Sequence, residues 1–251
     1  MGRVVISSTK EATPGDFCSL LGVTAHGGIQ TRGVITAPDR PLLLWVHELE
    51  PGAEIRWDCP PVGHVAYVCA GNIEVGGTTL SINGAAIMEH GSKGVLRATA
   101  EGATLAHFHT REDHPNNTMR DGGNVHITVG ETARRPKSAM TVYVDSACPT
   151  CELWLHRSDL MAPRQTPRHY HSQPEIIMVL DGELLLGRRT LLAGSALAID
   201  SDTIYAFGVG NAGLQFINFR ACESLSVSVD PKNEPLEVRS DRDIFVKYAS
   251  G

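Results

Sequence analysis

Apolar positions along the chain fall in runs of four to eight residues, separated by Gly, Pro, Asn and Asp, and helical periodicity is rarely sustained. In the second half, residues 141–145, 152–156, 176–180, 183–187, 195–199 and 215–220 read as strands. Asp181-Gly182 predicts a hairpin turn between two of them, because Gly tolerates a positive φ. The first half predicts strands over 42–49, 65–69, 72–75, 85–89 and 104–108. The best helix signal runs from Thr13-Pro14 to Leu21, with a capping Thr, Pro in the first turn and Gly22 to end it. Residues 111–138, with Pro115-Asn116-Asn117 and Asp121-Gly122-Gly123, have weak periodicity and read as a connection.

The two halves resemble each other. Leu44-Trp45-Val46-His47 matches Leu153-Trp154-Leu155-His156 at an offset of 109 (154 − 45). His64 precedes Gly71 as Glu175 precedes Gly182, now at an offset of 111 (175 − 64), and Gly76/Gly187, Thr79/Thr190 and Phe108/Phe219 keep it. A series of matches in one order suggests duplication. Many short strands, twice over, predict two small antiparallel barrels or sandwiches, 1–110 and 139–251, joined by 111–138.

Composition narrows the function. At 251 residues with 42% hydrophobic and 20% charged positions, the chain can bury two cores without staples. Its 22 basic and 28 acidic residues, net −6, argue against a nucleic-acid surface, which needs clustered Lys and Arg. The longest apolar runs, 41–46 and 176–180, fall far short of the roughly 20 residues that span a bilayer, so no membrane partner is expected. The N-terminal apolar stretch is too short for a secretory signal, which predicts a soluble, cytoplasmic protein with its six cysteines mostly reduced. Cys148-Pro149-Thr150-Cys151 has the spacing of a redox or zinc half-site. Without a second pair or a strand-to-helix context it reads as two small residues entering a strand.

The chemistry concentrates in His169-Tyr170-His171-Ser172-Gln173-Pro174-Glu175, which runs on to Gly182. Residues two apart on a strand share a face, so His169 and His171 present their imidazoles together, and Glu175 opens the next strand. Two imidazoles and a carboxylate suit a divalent transition metal with positions left open. His156 is a further candidate from a neighbouring strand.

This spacing resembles the first motif of the cupin superfamily: His-x-His, three or four residues, Glu, six residues, Gly. Gly194 and the strand and turn after it resemble the second motif, but Tyr205 stands where that motif places a histidine, and no histidine follows His171. The resemblance implies an all-β bicupin, two tandem jelly-roll (double-stranded β-helix) barrels. In the first, the positions 111 before His169, His171 and Glu175 are Asp58, Pro60 and His64, so its usual ligands are lost. His64, His90, His107 and His109 could form only a non-standard site there.

The resemblance implies one divalent transition metal per chain (Fe, Mn, Ni, Co or Zn, with iron favoured) held by His169, His171, Glu175 and Tyr205. Glu175 and Tyr205 are the expected catalytic residues. Arg220, Gln215, Asn218 and Phe207 are candidates to line the barrel, Arg220 suiting a carboxylate. The expected function is a metal-dependent enzyme on a small organic substrate, foremost a non-haem iron dioxygenase-like oxidoreductase. The alternatives are a lyase or isomerase that moves a proton through Tyr205, and a non-enzymatic small-molecule binder. A homodimer is also expected, built from strand-like ends at 1–7 and 243–249.

Overall fold

The computed structural model describes residues 2–18, 22–111, 123–144 and 153–249. After β1 (Val4–Ser8) come β2 (Thr13–Pro14), β3 (Val23–His26), β4 (Ile29–Ile35), β5 (Leu42–Leu49), β6 (Glu54–Asp58) and β7 (His64–Val75). Then follow β8 (Thr78–Ser81), β9 (Ala85–Met88), β10 (Lys93–Thr110) and β11 (Val125–Thr128). The second series is β12 (Glu131–Arg135), β13 (Ser138–Val144), β14 (Trp154–Leu160), β15 (Arg164–Gln165), β16 (His169–His171) and β17 (Glu175–Leu186). It ends with β18 (Arg189–Leu192), β19 (Ser195–Ile199), β20 (Gly208–Arg220), β21 (Leu225–Val229), β22 (Pro235–Ser240) and a helix, α1 (Asp241–Ala249). All the strand pairs are antiparallel.

Two compact units emerge, and their boundaries differ from those read in the sequence. Among the described residues, the first holds 9–130, and the second 131–144 and 153–249 together with β1. β1 runs along β19, Val4 opposite Ile199 and Ser8 opposite Ser195, so the chain's first strand closes the edge of its last barrel. Ile6 and Val4 pack on that barrel's core. Of the segment 1–7, expected to pair with a second copy, residues 4–7 are therefore engaged within their own chain. The other expected end, 243–249, is helical, with Asp241 and Asp243 in the helix's first turn, where the dipole favours acids.

The predicted connection also differs. Val125–Thr128 pairs with β9 of the first unit and Glu131–Arg135 with β13 of the second, so both barrels draw strands from it. Asp181-Gly182 does not turn the chain. It lies inside the continuous strand β17 as a bulge against β20, where Gly182 has φ +75°. A Cβ there would sit 2.2 Å from the Gly213 carbonyl oxygen, and Gly71 in β7 is in the same situation against Gly102. The hairpin turns are Gly76-Gly77 and Gly187-Arg188 instead. Thr13-Pro14, expected to start a helix, pairs with β4 as a short strand. Residues 19–21 of that expected helix, and Cys148 to Cys151, lie outside the described residues.

The strand registers also correct the internal alignment. Trp45 sits opposite His107 and His156 opposite Asn218, so the 111 offset continues through β5 and β14. Trp45, not His47, thus occupies the place of His156. The Leu-Trp-x-His match at offset 109 is a likeness of composition two residues out of register.

The first barrel's core gathers Trp45, Trp57, Ile55, Val68 and Leu105. Phe17 enters it, its ring 4.5 Å from that of His47 and 4.6 Å from that of His107. His64 replaces Glu175 at offset 111, and its Nδ1 hydrogen-bonds His107 Nε2 at 2.7 Å. Burial, more than any neighbour, holds His47 and His64 down to about 3, His109 to about 4 and His107 well below its usual range. Asp58 is exposed and pairs with Lys93 at 2.8 Å. His90 is only half-buried.

Candidate active site

The second barrel encloses a cavity of about 350 Å³, and the motif residues meet in it. β16 pairs with β21, which fixes the alternation that turns His169 and His171 to one side with ring centroids 5.1 Å apart. The backbones of His169 and Tyr205 exchange two hydrogen bonds (3.0 and 2.9 Å), seating the Tyr205 ring 4.5 Å from that of His169. Glu175 is the first residue of β17, beside β20, whose inward residues include Phe216, Asn218 and Arg220. His156 on β14 sits opposite Asn218 and lines the cavity. Phe207 lines it too. Gln215, opposite Asp159 and Asp181, is exposed on the outer face.

Glu175 is almost fully buried, and its carboxylate accepts from three donors. Tyr205 donates its hydroxyl to Oε1 at 2.5 Å, while Asn218 (2.6 Å) and Arg220 Nη2 (2.7 Å) donate to Oε2. Arg220 also donates through Nη1 to Asp241 Oδ2 at 2.6 Å. Asp241, at the start of α1, accepts the Ser224 amide as well. The centre is thus a buried guanidinium between two carboxylates.

These contacts set the protonation states. Burial pushes the Glu175 carboxyl up, but its positive surroundings and the Tyr205 and Asn218 hydrogen bonds outweigh it and hold Glu175 far below the usual range. His171 is not that positive charge: burial, then Arg220, pushes the ring well toward its neutral form. Arg220 is the cation. Burial, then the Glu175 charge, raises Tyr205 well above its usual value, so its phenol stays protonated. Burial raises Asp241 despite Arg220, which makes it the carboxylate of the pair that takes a proton first on acidification.

The ring nitrogens can be assigned from their partners. An arginine only donates, so His171 Nε2, 3.1 Å from Arg220 Nη2, accepts, and the neutral ring carries its proton on Nδ1. His156 Nδ1 accepts the Trp154 indole N–H at 2.7 Å, which puts that proton on Nε2. His169 differs. Its Nδ1 donates to the Pro167 carbonyl at 2.8 Å, leaving the Nε2 lone pair free. Burial lowers the His169 pKa, so the ring is biased toward neutral.

This arrangement does not fit a divalent metal. Metal binding needs available lone pairs; His169 Nε2 offers one and Glu175 Oε1, which accepts only from Tyr205, keeps a second, but His171 Nε2 and Glu175 Oε2 are both taken by Arg220. The Tyr205 phenol keeps its proton. Among the described residues, no group of three or more His, Cys, Asp and Glu side chains could hold a metal ion. Arg220 and Asn218 could be named from the sequence but not placed, because their face depends on register. Asp241 left no signal at all: it reaches the site from a helix 66 positions beyond Glu175 (241 − 175).

The cavity rim is basic. Arg135, Arg164 and Arg239 line it, against Glu237, which pairs with Arg239. The rim thus carries more basic than acidic side chains, above the −1 of the buried Arg220–Glu175–Asp241 group.

No family model matches the chain, and no curated protein matches it. Solved structures do. Oxalate decarboxylase from Bacillus subtilis at pH 4.6 superposes with a TM-score of 0.64 at 11% identity, covering 86% of this chain and 76% of that one. A structure of the same enzyme described for its Mn(II) centres gives 0.62 at 11%, covering 86% and 77%. A glyoxylate-induced protein from Pseudomonas aeruginosa gives 0.59 at 13%, covering 76% and 79%. At these identities the likeness shows the fold, the β-rich jelly roll of the cupin kind.

Proposed function

We propose that the second barrel binds a small organic acid and moves a proton on it through His169, a redox-neutral lyase or isomerase reaction. The observation that carries this reading is the His169 imidazole. It is oriented through Nδ1 by Pro167, neutral, and presents an unengaged Nε2 lone pair in the cavity, as a general base requires. The basic rim supports an anionic substrate, and the names of the similar structures, oxalate decarboxylase and glyoxylate-induced protein, point to small carboxylates. Tyr205 and Glu175, expected to be catalytic, act here as positioning residues. A carboxylate with three donors is a weak base, and a phenol beside an anion is a weak acid.

A second reading keeps the metal. The three residues of the cupin-like motif line one cavity, and the similar Bacillus subtilis structure is described by its Mn(II) centres, which favours manganese over the expected iron. It requires Glu175 and His171 to give up Arg220. Nothing here favours the dioxygenase reading over other metal chemistry.

The test uses malonate and pyruvate in D₂O, with C–H exchange followed by NMR and binding by calorimetry. Both should bind, more weakly by tenfold or more in Arg164→Ala/Arg239→Ala, an order-of-magnitude expectation for exposed charges. Exchange should depend on His169. Binding without exchange would leave the non-enzymatic reading. No binding would end the organic-acid reading.

A further inference from the structure

We infer that Arg220 is the resident cation of the second barrel and stands in place of a divalent metal. The inference rests on the first reading above. A metal at this site would bring positive charge to Glu175 and take lone pairs from His171 and Glu175. Arg220 does both: the same Nη2 lies 2.7 Å from Glu175 Oε2 and 3.1 Å from His171 Nε2.

The guanidinium is held there from the other side. Asp241 Oδ2 accepts Nη1 at 2.6 Å, and the Ser224 amide fixes that carboxylate at 2.9 Å. Arg220 is 2% exposed, so the pair is shielded from water, where close opposite charges interact strongly. A guanidinium stays charged under all physiological conditions and forks across two acceptors. Ejecting it would leave Asp241 buried without its partner.

The first barrel has the neutral version of this arrangement. At offset 111, His64, His107 and His109 replace Glu175, Asn218 and Arg220, so carboxylate and guanidinium are lost together. At these positions the two charges are present together in the second barrel and absent together in the first.

The experiment is Co(II) titration of the chelator-stripped full chain, read by visible d–d absorption and by metal retained after desalting. Wild type should retain under about 0.1 Co(II) per chain, since Arg220 occupies His171 Nε2 and Glu175 Oε2 and brings a positive charge to the place of the ion. Arg220→Gln removes the charge and frees Glu175 and His171. It should bind Co(II) at least about 100-fold more tightly than wild type, the scale at which groups around a metal act, and lose that gain with His171→Ala. Arg220→Lys, a milder change that keeps a cation, should bind no metal.

One Co(II) per wild-type chain, lost in His171→Ala, would overturn the inference. So would a folded Arg220→Gln that binds no better than wild type. If Arg220→Gln does not fold, the wild-type and Arg220→Lys titrations still decide. Malonate exchange in chelator is a separate readout, so the organic-acid reading can fail while this inference stands, or the reverse.

Discussion

Arg220 and Glu175 form a buried ion pair, with 2.7 Å between Nη2 and Oε2, at the point where β17 and β20 lie side by side. Arg220→Met should cost about 3–5 kcal/mol, because it leaves Glu175 and Asp241 as uncompensated buried charges. Urea unfolding followed by Trp154 fluorescence would measure it. A loss under about 1 kcal/mol, the worth of an exposed pair, would show the charges to be hydrated.

Tyr205→Phe and His169→Gln separate positioning from catalysis. Tyr205→Phe keeps the ring packed on His169 and removes one of three donors to Glu175, a loss of about 1.5–3 kcal/mol for a bond to a charged group. Malonate exchange should fall less than about tenfold in that variant, but by about 10²–10⁴ in His169→Gln, the usual scale for a positioned base. Equal losses would return Tyr205 to the catalytic role that the sequence suggested.

Acid should destabilise the first barrel. Four of its histidines are buried neutral, with pKa values lowered by burial to about 3 for His47 and His64, about 4 for His109 and well below normal for His107. An unfolded histidine titrates near 6.5, so below that the unfolded chain binds protons that the folded barrel refuses. Stability is complete above about pH 6.5 and falls by up to about 1.4 kcal/mol per pH unit per histidine toward pH 4. Chemical denaturation at pH 7.5, 6 and 5 checks the sign. His64→Gln should flatten the slope.

Gly182→Ala should destabilise the second barrel by about 1–3 kcal/mol, since the new methyl meets the Gly213 carbonyl in a backbone region that only Gly enters freely. Gly187→Ala is the control: it has a similar φ but no atom within 4 Å, so its cost should be the smaller. Thermal melts of the two variants make the comparison.

The sequence carried the strands and the duplication well, because half-buried strands write period-two patterns and repeats keep an offset. It did not carry bulges. Gly182 satisfies a hairpin and a bulge equally, since both ask only for positive φ. Nor could it give register, which a two-residue slip in the Leu-Trp-x-His match disguised. The site was legible where its residues are local, from His169 to Glu175. It was illegible where partners arrive from afar: that Arg220 and Asp241 complete the Glu175 carboxylate depends on which face of β20 turns inward and where the last helix begins.

The pairing of Val4 with Ile199 has a consequence for biosynthesis. The strand that seals the second barrel leaves the ribosome before either barrel's other strands, and its partner follows 195 residues later, roughly 10–40 s at ordinary elongation rates. Throughout that interval the first barrel can complete itself while Val4–Ser8 waits without its partner strand. A bulky group fused ahead of Val4 therefore bears on the barrel synthesised last, and cutting the gene between the two repeats would leave the second half without the strand that finishes it.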